Sequence, residues 1–510
     1  MPRELAALVF GTGILGLFVL DRDKETKTSF ALWLPVLWLF IGASRNISQW
    51  LDWGSAIDIT PDQYLDGSPL DGTVLAILLA AGLAVLAWRV RRSGSFLKEN
   101  WPVLLFFGYC VLSVVWSDYP FVTFKRWTKG LGNITMIFIV LTDENPTAAA
   151  KRFLSRTGFL LIPLSILLIK YFPEMGRGYD RWTGDMRYYG AVGDKNGLGY
   201  DCLLFGLAAV WSIIGAFRNQ SHRLRQLIVH GTILGMVFWL LHLANSATSL
   251  VCFVLGASVM LAASVFARAK AWRVHLVAGT LACCGMLTFA IPDVYASIIA
   301  FLGRNTDLTG RTDLWDDLLQ MHSNPLIGTG FESFFLGNRL TLLWNKYWWH
   351  PQEAHDGYLE MYLTLGWIGL ALLALLMLTG YRNVMKSYGN DPHFGALRLA
   401  ALFVAMVYNG TEAAFKVMHP VLILFLLSVV AVPKAAVPAE ESELAADDLY
   451  SSKPRTARAP ELARNQTAPA AIAPSPAVEP KAIAPRPNPR NRWDGTETIS
   501  ANPVHGSRNL

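Results

Sequence analysis

Charge is scarce in this chain. Only 16% of its 510 residues are Asp, Glu, Lys or Arg, where a soluble globular chain carries about a quarter. Cysteine is scarcer: there are five, at 110, 202, 252, 283 and 284, all inside apolar runs. Their spacing fits neither a disulfide framework nor a zinc site, so they read as small buried hydrophobes. The net charge is +6, but it is not gathered into the dense basic stripe of a nucleic-acid binder. No internal repeat of fixed period is visible. These absences exclude an ordinary soluble enzyme, a disulfide scaffold, a nucleic-acid partner and a repeat architecture.

What the chain has is long uncharged runs. The stretches 5–20, 73–88, 101–116, 198–217, 249–266 and 357–380 are almost free of charge. A helix needs about 20 apolar residues to cross the hydrocarbon core. Without water the backbone must satisfy itself, which a helix does. The expected fold is all-α: a polytopic membrane protein of about 12–13 spans. They fall near 5–20, 30–44, 73–90, 101–117, 129–142, 157–172, 197–217, 227–243, 248–267, 273–291, 357–381, 395–411 and 416–433. The first run is followed by Asp21, Arg22, Asp23 and Lys24 rather than by a small-residue cleavage site. It reads as a retained helix.

Lys and Arg in short loops set the orientation. The loops 22–27, 89–98, 151–156, 218–225, 268–273 and 382–398 are basic and are expected on the cytoplasmic side. The loops 45–72, 118–128, 173–196, 244–248, 292–356 and 412–415 then face outward. Two of these, 173–196 and 292–356, also carry several arginines. Such breaks in a rule are where function tends to sit. Three regions follow: N-terminal helices at 1–172, a helical region with long external loops at 173–433, and a tail at 434–510. The tail is rich in Ala and Pro and mixes ten basic with nine acidic residues. It cannot bury enough apolar surface to fold and is expected to be a disordered cytoplasmic segment.

Four segments carry candidate chemistry. The loop 176–199 holds Arg177, Arg181, Arg187 and Lys195 among Trp182, Tyr188 and Tyr189. Guanidinium groups bind phosphate through paired donors, and aromatic faces suit sugars or lipid headgroups. An ordinary interfacial loop with aromatic anchors is the other reading. Lys195, Asn196 and Gly197 open a helix whose free N–H groups favour an anion. The segment 309–319 reads as a short amphipathic helix, with Leu314, Trp315, Leu318 and Leu319 at helical spacing and Arg311 in its first turn. That arginine opposes the helix dipole, so it is either solvated or reaches an anion. The turn NPLIGTGF at 324–331 places Gly328 and Gly330 where backbone can approach a ligand closely.

In 350–370, Asp356 is the expected N-cap of a membrane helix and His355 stands at its lip. The positive helix end is expected to hold His355 neutral and able to accept a proton. A plain loop histidine is the alternative. His350, Glu353 and His355 lack the metalloprotease spacing, so no metal is expected. In NSATSL at 245–250, the hydroxyls either bind a ligand or bond to neighbouring helix carbonyls.

The pieces GDKNGLG (193–199), NSATSL (245–250), GRTDLW (310–315), NPLIGTGF (324–331) and AHDGYLEMYLTLGWIGL (354–370) together resemble the O-antigen ligase/polymerase family of bacterial envelope glycosyltransferases. DKNGLG is closest to the exopolysaccharide polymerisation branch. One departure is visible: the family's usual His-Asn is His355–Asp356 here. Asp caps a helix as Asn does, but it brings no side-chain amide. The resemblance implies a cofactor-free and metal-independent glycosyl transfer at the periplasmic face of the bacterial inner membrane. The donor would be a glycan on undecaprenyl diphosphate, taken up with membrane lipid around it. A flippase and a chain-length regulator would be partners by analogy. His355 would act as base, and Arg311 and Arg181 would bind the diphosphate. Arg187, Lys195, Asn196 and Trp315 would complete the donor and glycan contacts, with Trp182, Tyr188, Trp348 and Trp349 along the glycan path. A ligase joining the glycan to lipid A core, or a non-catalytic lipid-linked glycan transporter, is the alternative. The transporter is disfavoured because the chain places few charges at mid-membrane.

Overall fold

The computed structural model describes residues 1–23, 25–51, 67–89, 96–179, 184–218, 222–265, 279–280, 311–321 and 323–433. The expected helix at 273–291 apart from residues 279–280, the loop at 268–273, the start of the 292–356 loop, Arg181, Trp182 and the 434–510 tail therefore lie outside the described residues.

The described residues are mostly helical. Its principal helices are α1 (Arg3–Leu20), α2 (Trp33–Gly42), α3 (Pro69–Trp88), α4 (Trp101–Leu112), α5 (Pro120–Leu141) and α6 (Pro146–Tyr171). A small antiparallel hairpin, β1 (Arg177–Tyr179) with β2 (Met186–Tyr188), follows. Then come α7 (Lys195–Arg218), α8 (Arg223–Ala244), α9 (Ala247–Val265), α10 (Arg311–Gln320), α11 (Gly337–Lys346), α12 (Gly357–Asn390), α13 (Pro392–Asn409) and α14 (Pro420–Val429). Among the described residues seven helices are long and apolar enough to span a membrane, and three shorter apolar ones accompany them. The protein is an all-α, multi-pass membrane protein.

Local sequence sets the helix starts. Pro at the first position supplies a helical φ where its missing N–H costs nothing. It opens α3, α5, α6, α13 and α14. Asn145, Asp356 and Asp391 cap α6, α12 and α13 by accepting from free first-turn N–H groups. α7 packs between α8, α9 and α6, and α13 packs on α9, α12 and α14. Leu15, Val19, Ile77 and Leu378 stay exposed, as side chains facing lipid do.

The two sets of loops gather at opposite ends. At the basic end, Arg152 donates to the carbonyl of Asp23, Arg89 pairs with Asp143, and Thr147 donates to Asp391. At the other end, the N–H of Arg45 reaches the Ala191 carbonyl, and Gly199 packs against Ser246 and Ser249. The expected loop at 151–156 lies wholly within α6, and two further expected loops contract. The basic 382–398 stretch is α12 extended to Asn390 and α13 begun at Pro392. Arg398 is buried in α13, where it donates twice to the Ser428 carbonyl at the end of α14. The 118–128 loop is mostly the first turns of α5, nine residues earlier than expected. In both places charges too polar for the hydrocarbon sit on helix that continues past it, or on a buried carbonyl.

The NPLIGTGF turn has a structural task. α12 breaks at Gly366, with φ 65° and ψ −165°, and the break frees backbone groups. Residues 324–330 take them up. The N–H groups of Trp367 and Ile368 donate to the carbonyls of Pro325 and Leu326 at 2.9 and 3.1 Å. The N–H groups of Thr329 and Gly330 donate to the carbonyls of Leu363 and Thr364 at 3.1 and 2.9 Å. Irregular backbone in a membrane protein requires such internal partners. The two glycines thus meet protein backbone: a Cβ on Gly328 would stand 2.3 Å from the Thr364 carbonyl carbon.

Gly366→Ala should be severely disruptive. Its Cβ would lie 2.2 Å from the Leu326 carbonyl carbon, at a φ that L-residues rarely adopt. The strain is about 1–3 kcal/mol before any clash. Gly389→Ala, on the same helix with open space around it, is the control. Folded protein, counted by detergent-resistant fluorescence of a fusion, should fall several-fold for the first and stay level for the second.

Candidate functional site

The amphipathic segment before α12 folds as a small cap. α10 buries Leu314 and Leu318 against Leu340 and Leu343 of α11, with Phe334, Phe335, Tyr347 and Ala354 filling the space between. The expected face of α10 is right except for Leu319, which is exposed. α11 was not separately expected. Lys346 and the Tyr347 hydroxyl both reach Asp317 and join the two helices. The indole N–H of Trp315 donates to the Ala354 carbonyl at 2.8 Å. Trp315 therefore secures the loop that carries His355, instead of offering its polar edge to a sugar.

His355 lies one residue before the α12 cap, in the left-handed region at φ 53°, where non-glycine residues are uncommon. Asp356 accepts from the N–H groups of Tyr358 and Leu359 at 2.8 and 3.1 Å, so the expected cap is present. His355 Nδ1 stands 3.1 Å from Glu353 Oε1 and 2.9 Å from Glu412 Oε2. Glu412 follows α13 and is brought in from the far side of the last two helices. Lys416 bridges Glu353 at 3.0 Å and Glu360 at 2.9 Å. Arg311 reaches Glu412 at 3.3 Å and the Thr411 carbonyl at 3.1 Å. The anion expected for Arg311 is thus, in this structure, a protein carboxylate.

The expectation of a neutral His355 is corrected. Burial disfavours the imidazolium, but the hydrogen bonds and charges of Glu353 and Glu412 outweigh it and raise His355 to about 9. Two full carboxylates at hydrogen-bonding distance exceed the partial charge of a helix end. Burial likewise opposes ionised Glu353, but Lys416 and His355 hold it well below the usual carboxylate range. With both carboxylates on Nδ1, loss of a proton leaves the lone pair on Nε2. Trp349 lies beside the imidazole, ring centroids 5.8 Å apart, while Trp348 is exposed.

The other candidates distribute unevenly. The start of α7 faces the cluster: Asp194, before Lys195 and Asn196, accepts from the Gly197 N–H at 2.8 Å. Burial raises its carboxyl, and the charges of Glu353 and Glu412 raise it further. Arg187 sits on β2 opposite Gly178, and Tyr188 lies under Arg177. NSATSL is a helix junction: Asn245 ends α8 at φ 45°, and Ser246 donates to Ser249 where Gly199 packs.

Among the described residues, Glu353, His355 and Glu412 place ligand atoms within 4.8 Å of one another and form a group that could hold a metal ion. A cation there would compete with Lys416 and Arg311 and displace the Nδ1 proton.

A cavity of about 1200 Å³ opens beside the cluster. Its lining includes Glu360 and Lys416 from the cluster, Lys125 and Lys129 of α5, the acidic Asp71 and Glu332, and the apolar Leu75 and Leu79 of α3. Lys129 makes no hydrogen bond or ion pair among the described residues, although it feels the charges of Glu332 and Asp71. These α5 cations were hidden in sequence because Lys125 read as part of an external loop and Lys129 as the first residue of the helix after it. Glu412 and Lys416 had one visible signal: charges in a very short connection between apolar runs.

Residues 231–374 match the family model described as O-antigen ligase. The match spans Arg311, Trp315 and His355, and it stops short of Glu412 and Lys416. It supports an O-antigen-ligase-like family and a membrane activity of ligase or polymerase type. No curated protein matches the chain.

The His355 pairing stabilises the fold in a defined pH window. Its folded value, about 9, lies above the ordinary value near 6.5. The stabilisation is complete below about pH 6.5 and is lost as pH rises through 9. The melting-temperature gap between wild type and His355→Gln should therefore be widest at pH 6 and close by pH 10. Glu412→Gln should lower the His355 midpoint by about one unit, read by imidazole NMR.

Proposed function

We propose that the protein is a membrane glycosyltransferase acting on undecaprenyl-diphosphate-linked glycan at the periplasmic face of the inner membrane. In this reading it lengthens the glycan, and the acceptor is a second lipid-linked unit. The observation that carries the proposal is His355, with Nδ1 held by two glutamates and Nε2 left for chemistry, beside a cavity lined by cations of α5 and leucines of α3.

The acceptor hydroxyl attacks the anomeric carbon of the donor sugar. The bond from that carbon to the diphosphate oxygen breaks, and undecaprenyl diphosphate leaves as an anion. The hydroxyl proton passes to Nε2 of neutral His355. Glu353 and Glu412 then stabilise the imidazolium, as the carboxylate of a catalytic triad does. The diphosphate is already anionic, so it requires countercharge more than a proton. Lys129, with Lys125 beside it, supplies countercharge in the cavity, and the prenyl chain runs along Leu75 and Leu79 of α3. Arg311 acts through Glu412 and comes to the leaving group only if donor binding redraws that pair. Arg181, Arg187, Lys195 and Asn196 remain proposed donor contacts from the α7 side, and Trp349 is the proposed platform for the acceptor sugar. A flippase and a chain-length regulator are the proposed partners, and the 434–510 tail is proposed to be cytoplasmic.

Ligation to lipid A core uses the same donor and the same chemistry, so the acceptor decides between them. In cells carrying His355→Ala at wild-type membrane abundance, long surface polysaccharide should disappear and single repeat units accumulate. Normal polymer would sink the catalytic role of His355. Polymer of normal length that is not joined to lipid A core would replace the polymerase with the ligase. In purified protein, kcat/KM should rise with pH towards 9, since neutral His355 is about one part in a hundred at pH 7. Lys129→Gln should raise KM for the lipid donor about tenfold, as expected for loss of one charge-assisted contact.

A further inference from the structure

A second cavity, of about 580 Å³, lies at the end of the bundle away from His355, where α1 ends and α6 begins. Its wall is aromatic. Phe18 stacks on Trp33 with centroids 6.2 Å apart and meets Phe159 edge-on at 5.7 Å. Its rim is cationic, formed by Arg22, Lys27, Arg152 and Arg156.

These cations are not alike. Arg152 is engaged by the chain itself, through the Thr28 hydroxyl and the carbonyls of Asp23 and Thr26. Two carboxylates also line the cavity, and both have partners elsewhere. Asp21 stands 3.2 Å from His230 and 4.0 Å from Lys151. Asp23 accepts from the Thr26 hydroxyl and the Glu25 N–H. Arg156 lies over the Trp33 ring at 4.8 Å, which fixes the plane of its guanidinium. The side chains of Arg156, Arg22 and Lys27 make no hydrogen bond or ion pair among the described residues. Three cations thus face one cavity with their donors unused.

The setting narrows the ligand. α1 presents Leu15 and Val19 outward, and Phe30 beside the cavity is exposed. The cavity therefore lies where the lipid-facing surface of α1 gives way to charge. We infer that it binds the phosphate group of an anionic membrane lipid. Arg156 would donate in pairs to the phosphate oxygens, Arg22 and Lys27 would supply countercharge, and the acyl chains would follow α1. A free phosphate ester shares the headgroup chemistry, and the lipid is favoured because the exposed apolar side chains of α1 adjoin the cations.

The test uses the full chain purified in detergent and native mass spectrometry with phosphatidylglycerol or phosphatidylcholine as the probe. Wild type should retain one phosphatidylglycerol at least tenfold more strongly than phosphatidylcholine, with 10 mM inorganic phosphate leaving it in place. Arg22→Gln/Lys27→Gln/Arg156→Gln should lose that preference, while Arg382→Gln, a cation elsewhere on the chain, should keep it. Because Arg156 is partly buried, the double variant Arg22→Gln/Lys27→Gln, which changes only exposed side chains, provides a fold-neutral check and should weaken retention about threefold. Displacement of the lipid by inorganic phosphate would support the same phosphate site with a soluble ligand. Equal retention by wild type and both variants would overturn the inference.

Discussion

The break in α12 at Gly366 is the constraint on which the site depends. A helix interrupted in the membrane exposes backbone groups that lipid cannot satisfy. Residues 324–330 satisfy them, bonding to α12 on both sides of the break. That clasp ties the cap to the membrane helices. It is reinforced from α4 and the turn after it, where Tyr109 donates to the Leu365 carbonyl, Trp116 to the Ile327 carbonyl, and Ser113 accepts from the Phe331 N–H. The upper half of α12 is thereby held at a fixed attitude. Asp356 caps it, and His355 is delivered directly above.

From that fixed point the ionic cluster assembles from four separated stretches of chain. Arg311 comes from the cap, Glu353 and His355 from the loop, Glu360 from α12, and Glu412 and Lys416 from the connection between the last two helices. Each holds another. The neighbouring Trp315 indole anchors the Ala354 carbonyl, and the Ala354 N–H donates to Glu360. The residue between the glutamate and the histidine is thus bonded through both its main-chain groups. This restraint lets His355 keep a left-handed backbone that would otherwise relax.

Much of this architecture was legible in sequence, because apolar runs and caps are local signals. The helices from α7 to α9 and α12 follow their hydrophobic runs, α6 begins eleven residues before its run, and Asp356 announces its cap by type and position. The pattern failed where charge and helix coincide. Lys125 and Arg126 read as loop, and Lys129 as the first residue of the following helix, because charged residues are costly in hydrocarbon, yet all three occupy helix lining a polar cavity. The protonation of His355 was illegible for another reason. The helix end is visible in sequence, whereas Glu412 is 57 residues away, and its approach is set by how α12 and α13 pack. The glycines of NPLIGTGF were legible as points of close approach, but what approaches them is protein backbone.

Charge balance separates the His355 cluster from the adjoining cavity. Around His355, three cationic side chains (Arg311, Lys416 and protonated His355) meet three carboxylates (Glu353, Glu360 and Glu412). Such a cluster is nearly neutral and offers little net attraction to a diphosphate. Its carboxylates tune the basicity of one imidazole instead. In the proposed reaction the attraction would come from the adjoining cavity, where Lys125, Arg126 and Lys129 of α5 outnumber Asp71 and Glu332. Separating the two resolves a conflict. A base surrounded by the cations that bind a phosphate would lose its affinity for protons, and cations surrounded by the carboxylates that raise a base would lose their affinity for phosphate. Lys416 lies at the boundary, held by Glu353 and Glu360 and also lining the cavity. Displacing it towards a bound anion would weaken its hold on Glu353 and strengthen the Glu353–His355 pair. Binding of donor would then raise the basicity of His355 as the acceptor arrives.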